Sequence, residues 1–154
     1  MGARIVRKIV TGGQTGVDRA ALDAALACGI SVGGWCPRGR RAEDGVIAAR
    51  YPLTETPSPD YAERTAWNVR DSDGTLVFSG GAVSPGTQLT LNAAQAQGRP
   101  VRVVDLDADP DHRAVLAWIA DNEIRVLNVA GPREREAPGS YDAVRAYLER
   151  LFYA

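Results

Sequence analysis

Thr11, Gly12, Gly13, Gln14, Thr15 and Gly16, followed by Asp18 and Arg19, put bare backbone, neutral donors and a charge pair at one point of the chain. Glycines let main-chain N–H groups approach a ligand without a Cβ in the way, and Thr and Gln add side-chain donors. If a helix opens there, its first turn aims unpaired N–H groups and a positive dipole end at the same place, which suits a phosphate. A second run of this character, SGGAVSPGTQLT, supplies Ser79, Gly80, Gly81, Gly86 and Thr87. One such turn can be a mere tight connection, but two, each with threonine at the helix entry, predict an anion-binding crevice. Neither has the spacing of a dinucleotide fingerprint, and GGQTG lacks the lysine of a triphosphate-binding loop, so hydride and phosphoryl transfer both lose ground.

Other chemistry-bearing residues admit two readings each. The run PRGRRAEDG carries Arg38, Arg40 and Arg41 beside Trp35 and Cys36. As a lid it brings a guanidinium to a phosphate and a ring to a flat heterocycle; as a solvated charge run it does nothing. Arg64, Trp67, Asn68 and Arg70 fall on one helix, where Arg64 and Asn68 share a face and Trp67 reads as core. Cys36 has no histidine near it in sequence to make it a nucleophile, and His112 opens a surface helix. Cys28 reads as packing. Asp105 ends a strand as a base, a ribose ligand or a solvated cap, and Asn128, Gly131, Pro132 and Arg133 stand in the same position after a later strand. No triad and no metal-ligand spacing is present, so no catalytic residue is assigned.

The elements that must position these residues alternate between strand and helix. Apolar runs at Ile5–Thr11, Ile30–Trp35, Thr75–Ser79, Val101–Leu106 and Arg125–Val129 read as five strands, the second near a sheet edge because glycine interrupts it. Helices follow Gly16, with Gly29 as a left-handed stop; Asp60, as cap; and the second glycine turn within Ser79–Thr90, running to Gln97 with Gly98 as terminator. A further helix spans Pro110–Asp121, opened by Asp109, and a last one starts near Ser140 with Tyr141, Val144, Leu148 and Leu151 on one face. Residues 36–59 form a long Pro- and Gly-rich flap. This pattern predicts an α/β, Rossmann-like, doubly wound parallel sheet with helices on both faces. The expected strand order is 2-1-3-4-5, which makes the first two glycine turns face each other and leaves the third farther along the rim.

Bulk properties agree with a small-ligand protein. A chain of 154 residues, 45% apolar, is expected to form a single domain over residues 1–154. A net charge of −1 does not favour nucleic acid or anionic membrane as partner. Two cysteines without a disulfide framework, no apolar stretch of membrane-spanning length and no secretion signal point to the cytoplasm. Lys8 is the sole lysine among 18 basic residues, so only clusters of arginine are informative.

The segments GGQTGVDRAALDAAL, GGWCPRGRRAEDG, RYPLTET, ERTAWNVRDSDGTLV, PGTQLT and LNVAGPRE together resemble the molybdenum cofactor carrier proteins over nearly the whole chain. These are similar to a wider group of Rossmann-like nucleotide-binding domains that includes phosphoribohydrolases once labelled lysine decarboxylases. The resemblance implies a homo-oligomer, tetramer or dimer, that binds molybdopterin through its phosphate, with molybdoenzymes as possible recipients. It places phosphate loops at Gly12, Gly13, Gln14, Thr15, Gly16 and at Ser79, Gly80, Gly81, Gly86, Thr87, and leaves Arg38 and Arg40 to cover the pterin. The hydrolytic relatives carry a glutamate three positions after the threonine of the second turn, where this chain has Thr90. Loss of that carboxylate removes the obvious acid for cleaving an N-glycosidic bond. The expectation is therefore a carrier or storage protein. A phosphoribohydrolase or phosphatase of nucleoside monophosphates, and a nucleotide-sensing module, are the alternatives.

Overall fold

The computed structural model describes residues 5–80, 83–108 and 110–153. Five short strands, β1 (Lys8–Val10), β2 (Ser31–Gly33), β3 (Gly74–Ser79), β4 (Val101–Asp105) and β5 (Val126–Ala130), form one parallel sheet. They alternate with helices α1 (Val17–Ala27), α2 (Tyr61–Arg70), α3 (Pro85–Gln97), α4 (His112–Asp121) and α5 (Ser140–Tyr153). Ile9, Leu76, Phe78, Val104, Leu127 and Val129 face α1, α4 and α5 in one continuous apolar core. Alternate residues of the same strands, Thr75, Val77 and Asn128, point to the opposite face, where α2 and α3 lie together. That second face is unusually polar inside: Thr65, Asn68, Thr75, Thr87, Thr90 and Asn128 are all buried.

The strand order is β2-β1-β5-β3-β4, not the expected 2-1-3-4-5. The last strand enters the middle of the sheet, with Leu127 in register between Ile9 of β1 and Gly74 of β3. Counted from β5, the order is 3-2-1-4-5, a doubly wound sheet whose first strand has been moved to the end of the chain. The winding reverses between β5 and β3, so the crevice of such a sheet belongs over their carboxyl ends. The third glycine turn, after β5, thus lies between the other two rather than farther along the rim.

Local signals account for most boundaries. Asp60 caps α2 by accepting the Ala62 N–H at 2.9 Å, and Gly98 ends α3 in the left-handed conformation. The cap of α4 is Asp111, which accepts the Arg113 N–H at 2.9 Å, so the helix starts at His112 and not at Pro110; Asp109 lies outside the described residues. The expected strand Ile30–Trp35 divides at Gly34, whose positive φ of 122° sends Trp35–Cys36 away to pair with Thr54–Glu55. The flap is ordered by its own small core of Leu22, Cys36, Ile47, Tyr51 and Leu53. Among the described residues, no helix is long and apolar enough to cross a membrane.

Candidate functional site

The first glycine loop is buried beneath other parts of the chain. A Cβ on Gly13, which has φ 79°, would lie 2.5 Å from Leu53 Cδ1 of the flap. One on Gly16, at φ 75°, would lie 2.6 Å from both Pro132 O and Glu134 N. These glycines therefore admit protein, the flap on one side and the third turn on the other. The N-terminus of α1 is closed in the same way: Val17 N–H donates to Pro132 O at 3.2 Å, and Gln14 N–H to Asp18 Oδ2 at 3.1 Å. Thr15 Oγ1 donates to Glu43 and accepts from Glu134 N–H at 3.2 Å. At α5 the helix N-terminus is likewise filled, because Glu134 accepts Gly139 N–H at 2.7 Å and Tyr141 N–H at 2.9 Å. Those amides hold the Glu134 carboxyl below its usual range.

The N-terminus of α3 is different. Ser84 caps it by accepting Thr87 N–H at 3.2 Å, Pro85 occupies the first turn, and nothing lies within 4 Å of the space a side chain at Gly86 would take. Ser84, Pro85, Gly86, Leu89 and Thr90 form one wall of a crevice of about 320 Å³. Tyr61, Arg64 and Thr65 of α2 form the second wall, Gln14 and Asp18 the floor, and Ala130, Gly131, Arg133 and Glu136 the far side. This is the reversal point between β5 and β3, the place that the topology assigns to a ligand.

Arg64 organises the floor. A Cβ on Gly12 would fall 1.6 Å from Arg64 Nη1, so Gly12 supplies the hole in which the guanidinium sits. The same Nη1 lies 3.5 Å from Asp18 Oδ2, and the two side chains are 17% and 5% exposed. The Tyr61 ring covers the guanidinium at 5.4 Å, while Nε is buried without a partner. Burial pushes the Asp18 carboxyl above its ordinary range, against the opposing charge of Arg64. Arg133 and Glu136, both on the far side of the crevice, pair with each other at 3.5 Å. The crevice brings together the Tyr61 ring, Leu89, the mostly buried Arg64 cation and the exposed N-terminus of α3. It can hold a small anion joined to a planar group.

The other expected site residues have other positions. Arg40, itself at φ 54°, spends its guanidinium on the carbonyls of Ile47, Ala48, Tyr51 and Leu53 at 2.9–3.3 Å, which staples the flap shut. Arg38 is exposed on the flap, and neither arginine lines the crevice. Ser79, Gly80 and Thr87 line a small adjoining hollow with Pro132 and Glu136; Gly81 lies outside the described residues. Thr15 and Gly16 border a separate shallow depression on the outer side of the loop. Asn68 holds the Trp35 backbone with both amide atoms at 2.8–2.9 Å, and Trp67 meets the Trp35 ring edge-on at 4.8 Å. Cys36 is fully buried with its thiol pushed up by burial, and Cys28 belongs to the main core. His112 stacks on Tyr147 at 4.2 Å. Asp105 accepts Asp107 N–H at 2.9 Å, and Asn128 donates to Thr75 Oγ1 at 3.2 Å. Among the described residues, no three His, Cys, Asp or Glu converge to hold a metal ion.

Tyr61, Leu89 and Glu136 were not singled out by type or spacing, and Arg64 was noted only for the face it shares with Asn68. For Tyr61 and Arg64 the signal is one face of α2, residues 61, 64, 65 and 68 at helical period, which carries polar Thr65 and Asn68 buried where a packing stripe is apolar; nothing in the sequence singles out Leu89 or Glu136.

Comparison with known proteins agrees with this topology. Residues 9–152 match the model of the circularly permutated YpsA SLOG family. The crystal structure of the "Putative molybdenum carrier protein" from Syntrophus aciditrophicus SB superimposes with a TM-score of 0.92 at 43% identity, covering 98% of this chain and 97% of that one. Among curated proteins there is no match.

Proposed function

The chain belongs to the circularly permutated YpsA SLOG family, and on that premise we propose that its crevice carries a small phosphate-bearing ligand of the molybdenum cofactor type. The observation that carries this reading is Arg64, a buried cation seated in the hole left by Gly12 and facing the same space as the open N-terminus of α3. A phosphate entering there exchanges water for a guanidinium and for the Gly86 N–H, the Thr87 N–H being held by Ser84, while the ring lies against Tyr61 and Leu89. A volume of about 320 Å³ sits at the small end of ligand pockets and fits one phosphate and one fused ring system better than a dinucleotide. The name of the Syntrophus neighbour supports molybdenum as the cargo's metal. Ser84, Gly86, Arg64 and Gly131 are the residues assigned to contact; Arg38 and Arg40 are not among them. Holding rather than turnover follows from Thr90, which buries a hydroxyl where a hydrolase needs a carboxyl group.

One observation favours an enzyme instead: Asp18 is a buried carboxyl on the crevice floor. The two readings separate when the protein is incubated with isolated molybdenum cofactor and, in parallel, with a panel of nucleoside monophosphates. The carrier reading predicts retention of oxidisable pterin through gel filtration, near one per chain, and no released base or phosphate. Base release that is lost in Asp18→Asn, with no pterin retained, would replace the carrier by a hydrolase.

A further inference from the structure

Asp18 does more on the crevice floor than neutralise Arg64. Its Oδ2 accepts the Gln14 N–H at 3.1 Å and stands 3.5 Å from Arg64 Nη1. An ionised carboxylate offers only acceptors, about four lone-pair sites on two oxygens, so with the Thr11 hydroxyl also acting on it these contacts still leave acceptor capacity in a residue that lines the crevice. Any oxyanion drawn to Arg64 arrives beside that acceptor. An oxygen that bears a hydrogen can donate to Asp18, whereas one without a hydrogen meets a like charge where water screens little. Resting on the reading of the crevice as an oxyanion site, we propose that Asp18 is its specificity-determining residue, admitting oxyanions that carry a hydrogen and rejecting those that carry none.

Inorganic phosphate and the monoanion of a phosphate monoester belong to the first class, and sulfate and molybdate at neutral pH to the second. A carrier built this way excludes free molybdate and takes a phosphate monoester as its monoanion, the minor form at neutral pH because the second ionisation of a monoester lies near pH ~6. The charged groups facing Asp18 support the assignment. Arg64 approaches from α2, and Arg19 from its own helix is engaged by Asp44 of the flap at 3.0 Å. Arg133 and Glu136, on the far side of the crevice, are paired to each other. Burial raises the pKa of Asp18, so acidification supplies the missing hydrogen from the protein side and lets sulfate in.

The test titrates inorganic phosphate, sulfate and molybdate into wild type and Asp18→Asn at pH 7, then repeats sulfate at lower pH. Asparagine keeps the shape and the acceptor for Gln14 N–H and adds a donor. In wild type, phosphate binds about 10- to 100-fold more tightly than sulfate or molybdate, the scale of one hydrogen bond to a charged group. Sulfate affinity rises as pH falls. In Asp18→Asn the preference shrinks to about threefold or less and the pH dependence of sulfate binding disappears. Wild type that binds sulfate or molybdate as tightly as phosphate overturns the inference without need of the variant. So does an Asp18→Asn protein that keeps the full preference. Both of those results leave the oxyanion site standing, whereas failure of all three anions to bind either protein removes the site and the inference together.

Discussion

Gly12→Ala tests the seat of Arg64 with a single methyl group. Gly12 is not among the glycines of positive φ, so alanine fits its backbone without strain. The new Cβ would nevertheless lie 1.6 Å from Arg64 Nη1, 2.5 Å from Cζ and 3.1 Å from Cδ. Ordinary contact needs about 3.5–4.0 Å, so the guanidinium must retreat by about 2 Å and leave Asp18. Removing one partner of a buried pair costs about 3–5 kcal/mol when the other charge is stranded. Here Arg64 can swing towards solvent and Asp18 can take up a proton, so the cost falls to about 1–2 kcal/mol. For a chain of this length that is a fall in Tm of about 3–6 °C. Affinity for inorganic phosphate should drop about 10- to 100-fold with the loss of a charge-assisted contact. Thermal unfolding and calorimetric titration measure the two effects. Arg64→Ala should abolish the same affinity, and the double variant should lose little more than either single one. Wild-type affinity in Gly12→Ala would refute the role given to Arg64, and a fall in Tm beyond about 10 °C would make Gly12 a folding residue and not a seat.

Gly16→Ala should be far worse for stability, because alanine would sit at φ 75° and 2.6 Å from the backbone of the third turn; a loss above about 3 kcal/mol in denaturant unfolding is expected. Asp18 makes stability depend on pH. Burial holds its folded pKa above the ordinary aspartate range, so the folded state binds the extra proton and the Asp18 contribution declines as pH rises from about 4 through the folded value. Asp18→Asn should remove that downward slope, and identical stability–pH profiles would contradict it. Tyr51, held by burial and by Asp23, should ionise at about 12 in an absorbance titration, and Asp23→Ala, which also frees Tyr141, should bring it down and speed proteolysis of the flap. Cys28 and Cys36 are both buried, so neither should react with a thiol reagent until the protein unfolds.

Much of the fold was legible because its signals are local. The apolar runs, the cap at Asp60 and the stop at Gly98 each depend on a few adjacent residues. Strand order is not local. β5 reads as one more short apolar run, and nothing in Val126–Ala130 says that its neighbours are β1 and β3. The glycines show the same limit. Glycine marks close approach, but sequence does not say whether a phosphate or another segment approaches: at Gly13 it is Leu53, at Gly16 the backbone of Pro132–Glu134, and at Gly12 the Arg64 guanidinium. The arginine run misleads for a related reason, since a guanidinium grips backbone carbonyls as readily as it grips phosphate, and Arg40 does so four times. Arg64, the cation that reaches the crevice, stands alone in sequence and is brought there by the face of α2.

The central claim is that ligand enters between α2, α3 and the third turn and not at the buried GGQTG loop. It is tested most directly by a two-dimensional NMR titration of the isotope-labelled protein with a phosphorylated pterin, following backbone amides and arginine Nε–H groups. Shifts concentrated at Arg64 Nε–H and at the amides of Gly86 and Gly131, with Arg40 unmoved, are expected. Shifts concentrated at Gly13, Gly16 and the flap arginines, with Arg64 and Gly86 silent, would contradict it.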